Sequence, residues 1–320
     1  MKDWVSEIQS SYQSLLSEAS LDYLTTGLAL FHKHRKAADC TNPQAALGNL
    51  AISVELMLKA FIASKHITLL FKSLPLEARV LMTCPRSLPV DFNWHPFDID
   101  IRSASAQYKT IELDECISLF FIFFPDLKQS LQSHLRLLSI YRNTSIHSLL
   151  PSFHKYELDR VAYVALRVYD TLEAAKGLRF HYVHSEEDKG FLTTFQEERV
   201  ERVNREIKSA KDRSKRLTGR KSHILLTEVD WESFVISCPV CGNDAFLDGD
   251  TELKYRSPDG EEILEFLPSS FCCNECGLTL DDFDELQLAG IPTRFDRSDE
   301  MDEYVREIQA DYWEDYYWDD

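Results

Sequence analysis

The sequence of 320 residues lacks an apolar run long enough to serve as an evident membrane anchor. Its most apolar run, 117–124, stops at Pro125, whereas a membrane-spanning helix needs about 20 apolar residues. The N-terminus also lacks the apolar core of a secretory signal, because an amphipathic pattern starts within the first few residues. We therefore expect a soluble, cytoplasmic protein without a membrane partner.

Positive charge is scarce too. Lysine and arginine number 35, aspartate and glutamate number 53, and the formal net charge is −18. This balance excludes a protein that coats its whole surface in nucleic acid. It is compatible with a local basic groove, and basic residues concentrate at 32–36 and 205–221. A solvated helix end and an exposed charged linker are the alternative interpretations of these two stretches.

The patterns along the chain predict a multidomain α+β protein, and a hydrophobic fraction of 44% is sufficient for a packed core. We find no internal repeat. The predicted parts are an all-α helical bundle over 1–185, a charged and solvated linking helix over 186–221, a small β-rich domain over 222–292 and an acidic, aromatic tail over 293–320.

Helical periodicity predicts a series of helices in the first domain. The best-marked start is at Asn42 and Pro43, which fit the N-cap and the first helical position. The helix that follows is apolar on nearly every side, which is typical of a helix buried between others. Four prolines make 74–110 an irregular insertion. The predicted helices cover 4–19, 21–37, 43–65, 113–124, 126–147 and 156–175.

Alternating patterns predict short strands in the second half of the chain. Gly177 ends the bundle, and the residues after it alternate as in a strand. Turn-forming residues such as those at 257–260 separate the later segments. The predicted strands cover 179–184, 224–226, 234–236 and 263–266.

Two copies of the pattern C-x-x-C-G predict a closed metal site. The spacing lets two thiolates from one tight turn take adjacent corners of a tetrahedron, and the glycine lets the turn curl. A site closed by four sulfurs has no position for water, so we expect structural rather than catalytic Zn²⁺. The alternative, a pair of redox-active motifs, lacks the surrounding βαβ pattern. The expected ligands are Cys238, Cys241, Cys273 and Cys276.

Cys272 competes with Cys273 as the third ligand, but only Cys273 makes the second turn a copy of the first. The arrangement resembles a zinc ribbon. Zinc ribbons often contact nucleic acid or protein, but acidic residues are frequent throughout 244–284. Because such a surface repels phosphate, we expect a structural or protein-contact role.

A second group of candidate residues lies at 142–147. Arg142 is a permanent cation whose planar fork matches phosphate oxygens, Asn143 adds a polar amide, and a histidine such as His147 gives or takes a proton near neutral pH. The spacing itself is unspecific, since Arg179 and His184 repeat it. Unlike that pair, the first group follows a long apolar helix. The alternative is a solvated pair that caps the end of the helix.

Glu55 and Lys59 stand one helical turn apart on the helix that is apolar all round. They could simply form an ion pair. Because their helix is expected to be buried, at least one of the two should be buried as well. Glu55 could then orient Arg142 and become part of the candidate site.

Two motifs of the predicted helical domain resemble those of a known protein family. The run Val54-Glu55-Leu56-Met57-Leu58-Lys59-Ala60 on a buried helix, followed by Arg-Asn-x-x-x-His near the end of the bundle, resembles HEPN-domain proteins over roughly residues 20–175. The resemblance implies a small helical bundle that dimerises. It also implies a metal-independent ribonuclease of a toxin or antiviral-defence system. Two copies of Arg142, Asn143 and His147 would form the active site across a two-fold axis.

The expected function is cleavage of cellular RNA, tRNA or mRNA, through attack by its 2′-hydroxyl group. The first alternative is a non-catalytic helical and zinc scaffold that binds protein or RNA. The second is a regulator whose ribbon contacts the nucleic-acid complex of another protein. The acidic, aromatic segment 311–320 could imitate nucleic acid and restrain the nuclease or recruit a protein partner; simple disorder is the alternative there.

Overall fold

The computed structural model describes residues 4–36, 43–72, 110–147, 155–174, 182–216, 231–256 and 261–306. Most of these residues are helical, and a small antiparallel sheet lies in the C-terminal part of the chain. The layout is therefore α+β, as expected. The chain divides into two compact units, 1–192 and 193–320.

Helices build the N-terminal unit. The second helix begins at Pro43, as predicted. The sixth helix begins in this unit and continues into the C-terminal one. The helices are α1 (Trp4–Lys36), α2 (Pro43–Lys65), α3 (Leu113–Phe123), α4 (Lys128–His147), α5 (Lys155–Ala174) and α6 (Glu186–Ser214), with 3-10 turns at Ile67–Leu70 and Pro125–Leu127.

One continuous helix, α1, replaces the two helices expected at its place. Ser20, at the expected break, is buried, and its hydroxyl oxygen lies 2.6 Å from that of Tyr169 on α5. The serine therefore bonds to a neighbouring helix instead of capping one. Gly27 allows α1 to approach α2 closely, since a Cβ added there would lie 2.9 Å from Leu50 Cγ.

Helix α2 forms the centre of the N-terminal unit. It packs against α1, α3, α4 and α5, which explains why it is apolar on nearly every side. The prediction that at least one of Glu55 and Lys59 is buried is confirmed, since both are. The large buried apolar side chains of α2 are Leu47, Leu50, Val54, Met57, Leu58, Phe61 and Ile62.

By length and composition alone, α2 is also the one helix of the described ranges that is able to cross a membrane. It has 23 residues, and 67% of its most apolar window is buried inside the structure. The buried core helix of a globular protein passes the same test, so this finding is weak evidence for a membrane span. The most apolar run of the sequence, 117–124, does not belong to this helix, because charged residues interrupt the apolar ones in α2.

The flanks of the expected irregular insertion meet in the structure. Phe71 and Thr110 form an isolated antiparallel bridge, and the Ile111 amide donates to the Leu70 carbonyl at 2.9 Å. The described residues before and after the expected insertion are thus joined between α2 and α3. All of the expected insertion at 74–110 except Thr110 lies outside the described residues.

A capped turn starts α6 where a strand was expected. The described part of that stretch, 182–184, forms no regular element, so the strand prediction is wrong there. The Ser185 amide donates to Asp188 Oδ2 at 2.9 Å, and the Asp188 amide donates to the Ser185 hydroxyl at 3.1 Å. This reciprocal pair is a capping box. Its pattern, S-x-x-D, is visible in the sequence.

Asp188 also ties α6 to α1. Its carboxylate accepts hydrogen bonds from His32 Nε2 at 2.7 Å and from the Tyr182 hydroxyl at 2.8 Å, and Asp188 is only 1% exposed. Burial by itself disfavours the charge, but the hydrogen bonds from His32, Ser185 and Tyr182 lower the pKa of Asp188 far below its ordinary value. Burial raises the pKa of Tyr182, so its hydroxyl stays a donor.

An antiparallel sheet of five strands builds the C-terminal unit. Its order is β1–β2–β3–β4, and β5 pairs with β3. The strands predicted at 234–236 and 263–266 lie in β1 and β3. The strands are β1 (Ser233–Ser237), β2 (Asp244–Arg256), β3 (Glu261–Cys273), β4 (Leu278–Leu280) and β5 (Phe295–Asp296), and a short helix, α7 (Phe283–Leu288), follows β4.

Strand β2 was not predicted because acidic residues interrupt its apolar pattern. Ala245 and Leu247 are buried while Asp248 is exposed, as alternation in a half-buried strand requires. The strand pairs with β1 on one side and β3 on the other. The strand predicted at 224–226 and the turn at 257–260 lie outside the described residues.

The C-terminal part of α6 belongs to the core of this unit, which corrects the expectation of a solvated linking helix. Val203 and Ala210 belong to the buried hydrophobic cluster that also contains Phe266 and Phe271 of β3. Arg199 is only 3% exposed, and its guanidinium pairs with Asp282 and Asp284. The charge of α6 therefore includes a buried ion pair, which a charge pattern alone does not distinguish from a solvated face.

The first part of the expected tail also belongs to this unit. Strand β5 pairs with β3, and the buried Arg297 lies over the Trp231 ring at 4.6 Å. The Tyr304 hydroxyl donates to the Thr251 carbonyl at 3.2 Å. The acidic, aromatic segment 311–320 lies outside the described residues.

We expect Asp188→Asn to destabilise the N-terminal unit by about 1–3 kcal/mol at neutral pH, because the charged acceptor of several buried hydrogen bonds is lost. The pKa of Asp188 is lowered by folding. Its contribution is therefore complete above the unfolded carboxyl pKa, about 4, and declines as the pH falls below it. Urea unfolding of both proteins at neutral and acidic pH measures the difference, which should shrink in acid.

Glu186→Gln is the matched control, since Glu186 lies in the same helical turn and its ion pair with Lys189 is exposed. That variant should stay within about 0.5 kcal/mol of the wild type. Equal stability losses for the two variants would contradict a special role of Asp188.

Candidate functional site

Two cysteine turns join neighbouring strands of the sheet, one between β1 and β2 and one between β3 and β4. Each ends at a glycine in the left-handed region, with φ of 71° at Gly242 and 67° at Gly277. The Gly242 amide donates to the Cys238 carbonyl at 2.9 Å, and the Gly277 amide donates to the Cys273 carbonyl at 2.8 Å. Because other residues are strained at such φ values, the glycines permit both turns to curl tightly.

The sulfur atoms of the two turns form one cluster, in which all four lie within 4.8 Å of one another. Cys238 Sγ is 3.7 Å from Cys276 Sγ, and Cys241 Sγ is 3.5 Å from Cys273 Sγ. A tetrahedral ion with metal–sulfur bonds of about 2.3 Å requires sulfur separations of about 3.8 Å. The four thiols are therefore able to hold a metal ion.

Hydrogen bonds also prepare these sulfurs for a cation. The Val240 amide lies 3.4 Å from Cys238 Sγ, and the Asn243 side-chain amide lies 3.6 Å from Cys241 Sγ. Such donors stabilise thiolate charge and orient the ligand. Burial raises the pKa of the Cys238 thiol to about 11, so a cation that binds there must displace a proton.

Helix α6 holds the second turn in place. Arg213 donates from Nε to the Cys276 carbonyl and from Nη2 to the Gly277 carbonyl, the latter at 3.0 Å. Cys272 does not belong to the cluster, since its Sγ lies 3.6 Å from Asn274 Oδ1. Adjacent residues of a strand face opposite sides of a sheet. The structure thereby decides between the two neighbouring cysteines in favour of the second.

In the N-terminal unit, the structure brings Glu55 of α2 and Arg142 of α4 together. Glu55 Oε2 lies 3.2 Å from Arg142 Nη2, and Glu55 Oε1 accepts a hydrogen bond from Lys59 Nζ at 2.7 Å. Arg142 Nη1 donates to Asn143 Oδ1 at 3.3 Å. The guanidinium is therefore held by a buried carboxylate on one side and by its neighbour's amide on the other.

Two cations, Lys59 and Arg142, contact the single carboxylate of Glu55. The nearby Cys116 adds no negative charge, because burial raises the pKa of its thiol to about 12. The Arg142 side chain is 22% exposed, so a ligand can reach it from solvent.

The backbone of α4 is described as far as His147, but the His147 side chain is not. Positions 142 and 147 lie about 140° apart around the helix axis, whereas 143 and 147 lie about 40° apart. One stripe of the helix thus joins position 147 to Asn143 and to the exposed Arg136 and Ile140. Arg142 lies on the flank that faces α2.

Of the pair Arg179 and His184, which has the same spacing, the structure describes only the histidine. His184 Nε2 contacts a carboxylate oxygen of Asp170 on α5 at 2.5 Å. Arg179 lies outside the described residues. Two polar clusters had no sequence-based prediction, namely Asp188 with its partners and Arg199 with its carboxylates. The helical pattern of α6 predicts the helix that carries Asp188 and Arg199. It gives no information on which residues of distant segments contact them.

Comparisons of this chain with protein-family models, with curated proteins and with solved structures gave no match. The chain thus offers two candidate groups for a function. These are the thiol cluster of the C-terminal unit and the Glu55–Arg142 group of the N-terminal unit.

We expect the purified chain to bind about one divalent metal ion through four thiolates. Cys273→Ser should lose that ion, because it removes a corner of the tetrahedron. Metal content by elemental analysis, and the absorption of thiolate-bound Co²⁺ after exchange, both report on the site.

Cys272→Ser is the matched control, because it makes the same substitution one position earlier, outside the cluster. It should keep the metal ion and the Co²⁺ spectrum. Loss of the ion in the Cys272 variant, with retention in the Cys273 variant, would reverse the assignment.

Proposed function

We propose that this chain is a metal-independent endoribonuclease with a HEPN-like helical domain. The observation that carries the proposal is the contact that fixes the Arg142 guanidinium against the buried carboxylate of Glu55. The guanidinium is thereby held near the end of the helix that also bears Asn143 and His147, and it keeps its positive charge. A pre-positioned cation is what the charged transition state of phosphodiester cleavage requires.

RNA supplies the nucleophile of this reaction in its own 2′-hydroxyl group. A base removes the hydroxyl proton as the oxygen attacks phosphorus, and an acid gives a proton to the departing 5′-oxygen. Histidine is suited to both roles near neutral pH. Arg142 would bind the phosphoryl oxygens, and Asn143 would donate a hydrogen bond to them. The products are a 2′,3′-cyclic phosphate and a 5′-hydroxyl, and no metal ion takes part.

A homodimer provides the two histidines that such a reaction needs. Within one helix, positions 142 and 147 do not share a side. A second copy that packs against the stripe of Arg136, Ile140 and Asn143 would bring the Arg142 of one chain nearer to the His147 of the other. Ile140 is 61% exposed, which favours burial of this stripe in an interface.

In this proposal the thiol cluster holds structural Zn²⁺, and the C-terminal unit is a zinc ribbon. The sulfur separations suit zinc, and antiparallel strands flank both cysteine turns. Four cysteine ligands leave no open position for a reacting water. The ribbon would therefore serve as a stable platform or a protein contact, and the chemistry would stay in the helical unit.

The biological setting follows from the HEPN resemblance. Cellular RNA, either tRNA or mRNA, is the proposed substrate, and a toxin or antiviral-defence role in the cytoplasm is the proposed context. The acidic, aromatic segment 311–320 is the candidate for a partner or a restraint, since carboxylates and rings can imitate phosphates and bases.

A non-catalytic scaffold is the second candidate, and one observation favours it. Arg142 contacts Glu55 between two packed helices, and such an ion pair is also found where an arginine only joins helices. The ribonuclease and the scaffold differ in a direct way. The enzyme loses activity without losing its fold when the site residues are removed, whereas the scaffold has no activity to lose.

We expect the purified chain to cut RNA in EDTA, and both Arg142→Ala and His147→Ala to lower the rate by about 10²–10⁴-fold. Glu55→Gln should lower it less, because the arginine is only displaced. Gel analysis of tRNA and mRNA, with detection of 2′,3′-cyclic phosphate ends, measures the reaction.

Arg167→Ala is the control, because this exposed arginine lies on α5 and outside the proposed interface stripe. It should leave the rate within about threefold of the wild type. Absence of RNA cleavage by the folded wild-type chain would favour the scaffold. A loss in the control equal to that in Arg142→Ala, or thermal unfolding of Arg142→Ala well below the wild type, would remove the assignment of the activity to Arg142.

We expect Ile140→Glu to convert a dimer into a monomer, since it places a charge in the middle of the proposed interface. RNA cleavage should fall together with dimer content, which analytical ultracentrifugation measures. Val183→Glu is the matched control, because Val183 is 70% exposed and lies away from α4 in the chain. A dimer that survives Ile140→Glu would remove the two-copy site.

A further inference from the structure

A cleft of about 430 Å³ lies in the N-terminal unit beside the C-terminal end of α1. The residues that line it come from the last two turns of α1 and from the first turn of α6. It is rich in groups that bind anions, although the chain as a whole is acidic. Its lining residues are Ala29, His32, Lys33, Lys36 and Glu187.

The basic run 32–36 is thus not a uniform solvated helix end. Arg35 is used inside the protein, since its guanidinium lies 3.5 Å from Asp159 and 5.0 Å from the centre of the Phe191 ring. Lys33 and Lys36 face the cleft instead. The run therefore divides into a residue that packs the bundle and residues that line an open surface.

Hydrogen bonds hold the His32 side chain in place at the cleft. His32 Nε2 contacts Asp188, which is itself held by Ser185 and Tyr182. A buried aspartate with this set of donors fixes the histidine ring, so the cleft does not depend on flexible side chains alone. The His32 side chain keeps 12% exposure, which leaves part of the ring available to a ligand.

An internal carboxylate already shows how this cleft binds an anion. Lys36 Nζ forms an ion pair with Glu187 Oε1, and both side chains are largely exposed. The pair lowers the pKa of Glu187, chiefly through the hydrogen bond from Lys36. Exposed pairs of this kind are weak and exchange readily. Lys33 forms no ion pair within the described ranges, so its ammonium is available to a second oxygen.

We propose that this cleft is a phosphate-binding subsite for an RNA strand, in which Lys33 and Lys36 contact one backbone phosphate and that phosphate displaces Glu187 from Lys36. The proposal rests on the proposed ribonuclease function for the choice of RNA. It gives the enzyme a grip on substrate outside the Arg142 and His147 group. It also explains how an acidic chain engages RNA, since only a local basic surface is needed.

The subsite also predicts how RNA binding responds to salt and to Glu187. Each phosphate contact with a single strand adds about 0.7 to the slope of log affinity against log salt. Removing the carboxylate of Glu187 frees Lys36, so the affinity should rise. A surface that is merely basic predicts the same gain for Glu186→Gln, which removes a neighbouring carboxylate that does not line the cleft, whereas the subsite predicts a larger gain for Glu187→Gln.

The test measures binding of a short 2′-O-methyl oligoribonucleotide to the full chain by fluorescence anisotropy. This probe lacks the nucleophilic hydroxyl and cannot be cut by the proposed reaction, so binding is separated from cleavage. Lys33→Glu and Lys36→Glu should each weaken binding by about three- to tenfold and flatten the salt dependence. Glu187→Gln should strengthen binding by about two- to fivefold.

Lys189→Glu is the matched control, because Lys189 is exposed in the first turns of α6 and does not line the cleft. It should leave binding unchanged. Equal weakening by Lys189→Glu and Lys33→Glu would reduce the effect to net charge and overturn the subsite, as would unchanged or weaker binding of Glu187→Gln.

Inorganic phosphate distinguishes a free anion from an RNA strand. It should shift the His32 ring signals in NMR spectra of the full chain, assigned by their loss in His32→Gln. Shifts with phosphate alone, while RNA binding ignores Lys33 and Lys36, would overturn the assignment to RNA. If the lysines matter for binding but no RNA is ever cut, the subsite stands and the nuclease proposal fails.

Discussion

The carboxylate of Glu55 is the group on which the N-terminal unit depends most. It lies on α2, which is buried between four other helices, and a buried carboxylate without partners costs several kcal/mol, roughly 3–5 when an ion pair is broken. Lys59, on the same helix, and Arg142, on α4, provide those partners. The contact that joins α2 to α4 also fixes the guanidinium of the candidate site. Helix packing and the candidate chemistry therefore depend on the same atoms.

The C-terminal unit depends on a different constraint, which is the geometry of the two turns that hold its thiol cluster. The sheet places two cysteine turns at neighbouring positions, and glycines with positive φ let both turns curl until four sulfurs meet. Arg213 holds the second turn by its carbonyls, and Arg199 joins α6 to the acidic residues that follow β4. The acidic composition of this unit is thus partly internal, because its carboxylates serve as partners for arginines of α6.

Local signals predicted those parts that depend on local physics. Pro43 marks the start of α2 because proline is tolerated only in the first turn of a helix. The paired cysteines indicated the metal cluster because their spacing suits one tight turn. The helix break expected near Ser20 is absent, and β2 was not predicted, because both elements depend on partners that are distant in the sequence. Ser20 is held within α1 by Tyr169 from another helix, and β2 is held by two neighbouring strands. Neither partner is visible in a short window of sequence.

The sequence by itself determined the residue types of both groups: four cysteines in two matched turns, and an arginine, an amide and a histidine near the end of one helix. It also indicated that α2 is buried, since apolar residues lie on nearly every side of that helix. Only the tertiary structure decided which charges meet. It placed Glu55 against Arg142, chose Cys273 over Cys272, and assigned Arg35 to the interior but Lys33 and Lys36 to a cleft. The physical reason is that long side chains of similar charge differ in role only through partners distant in the chain.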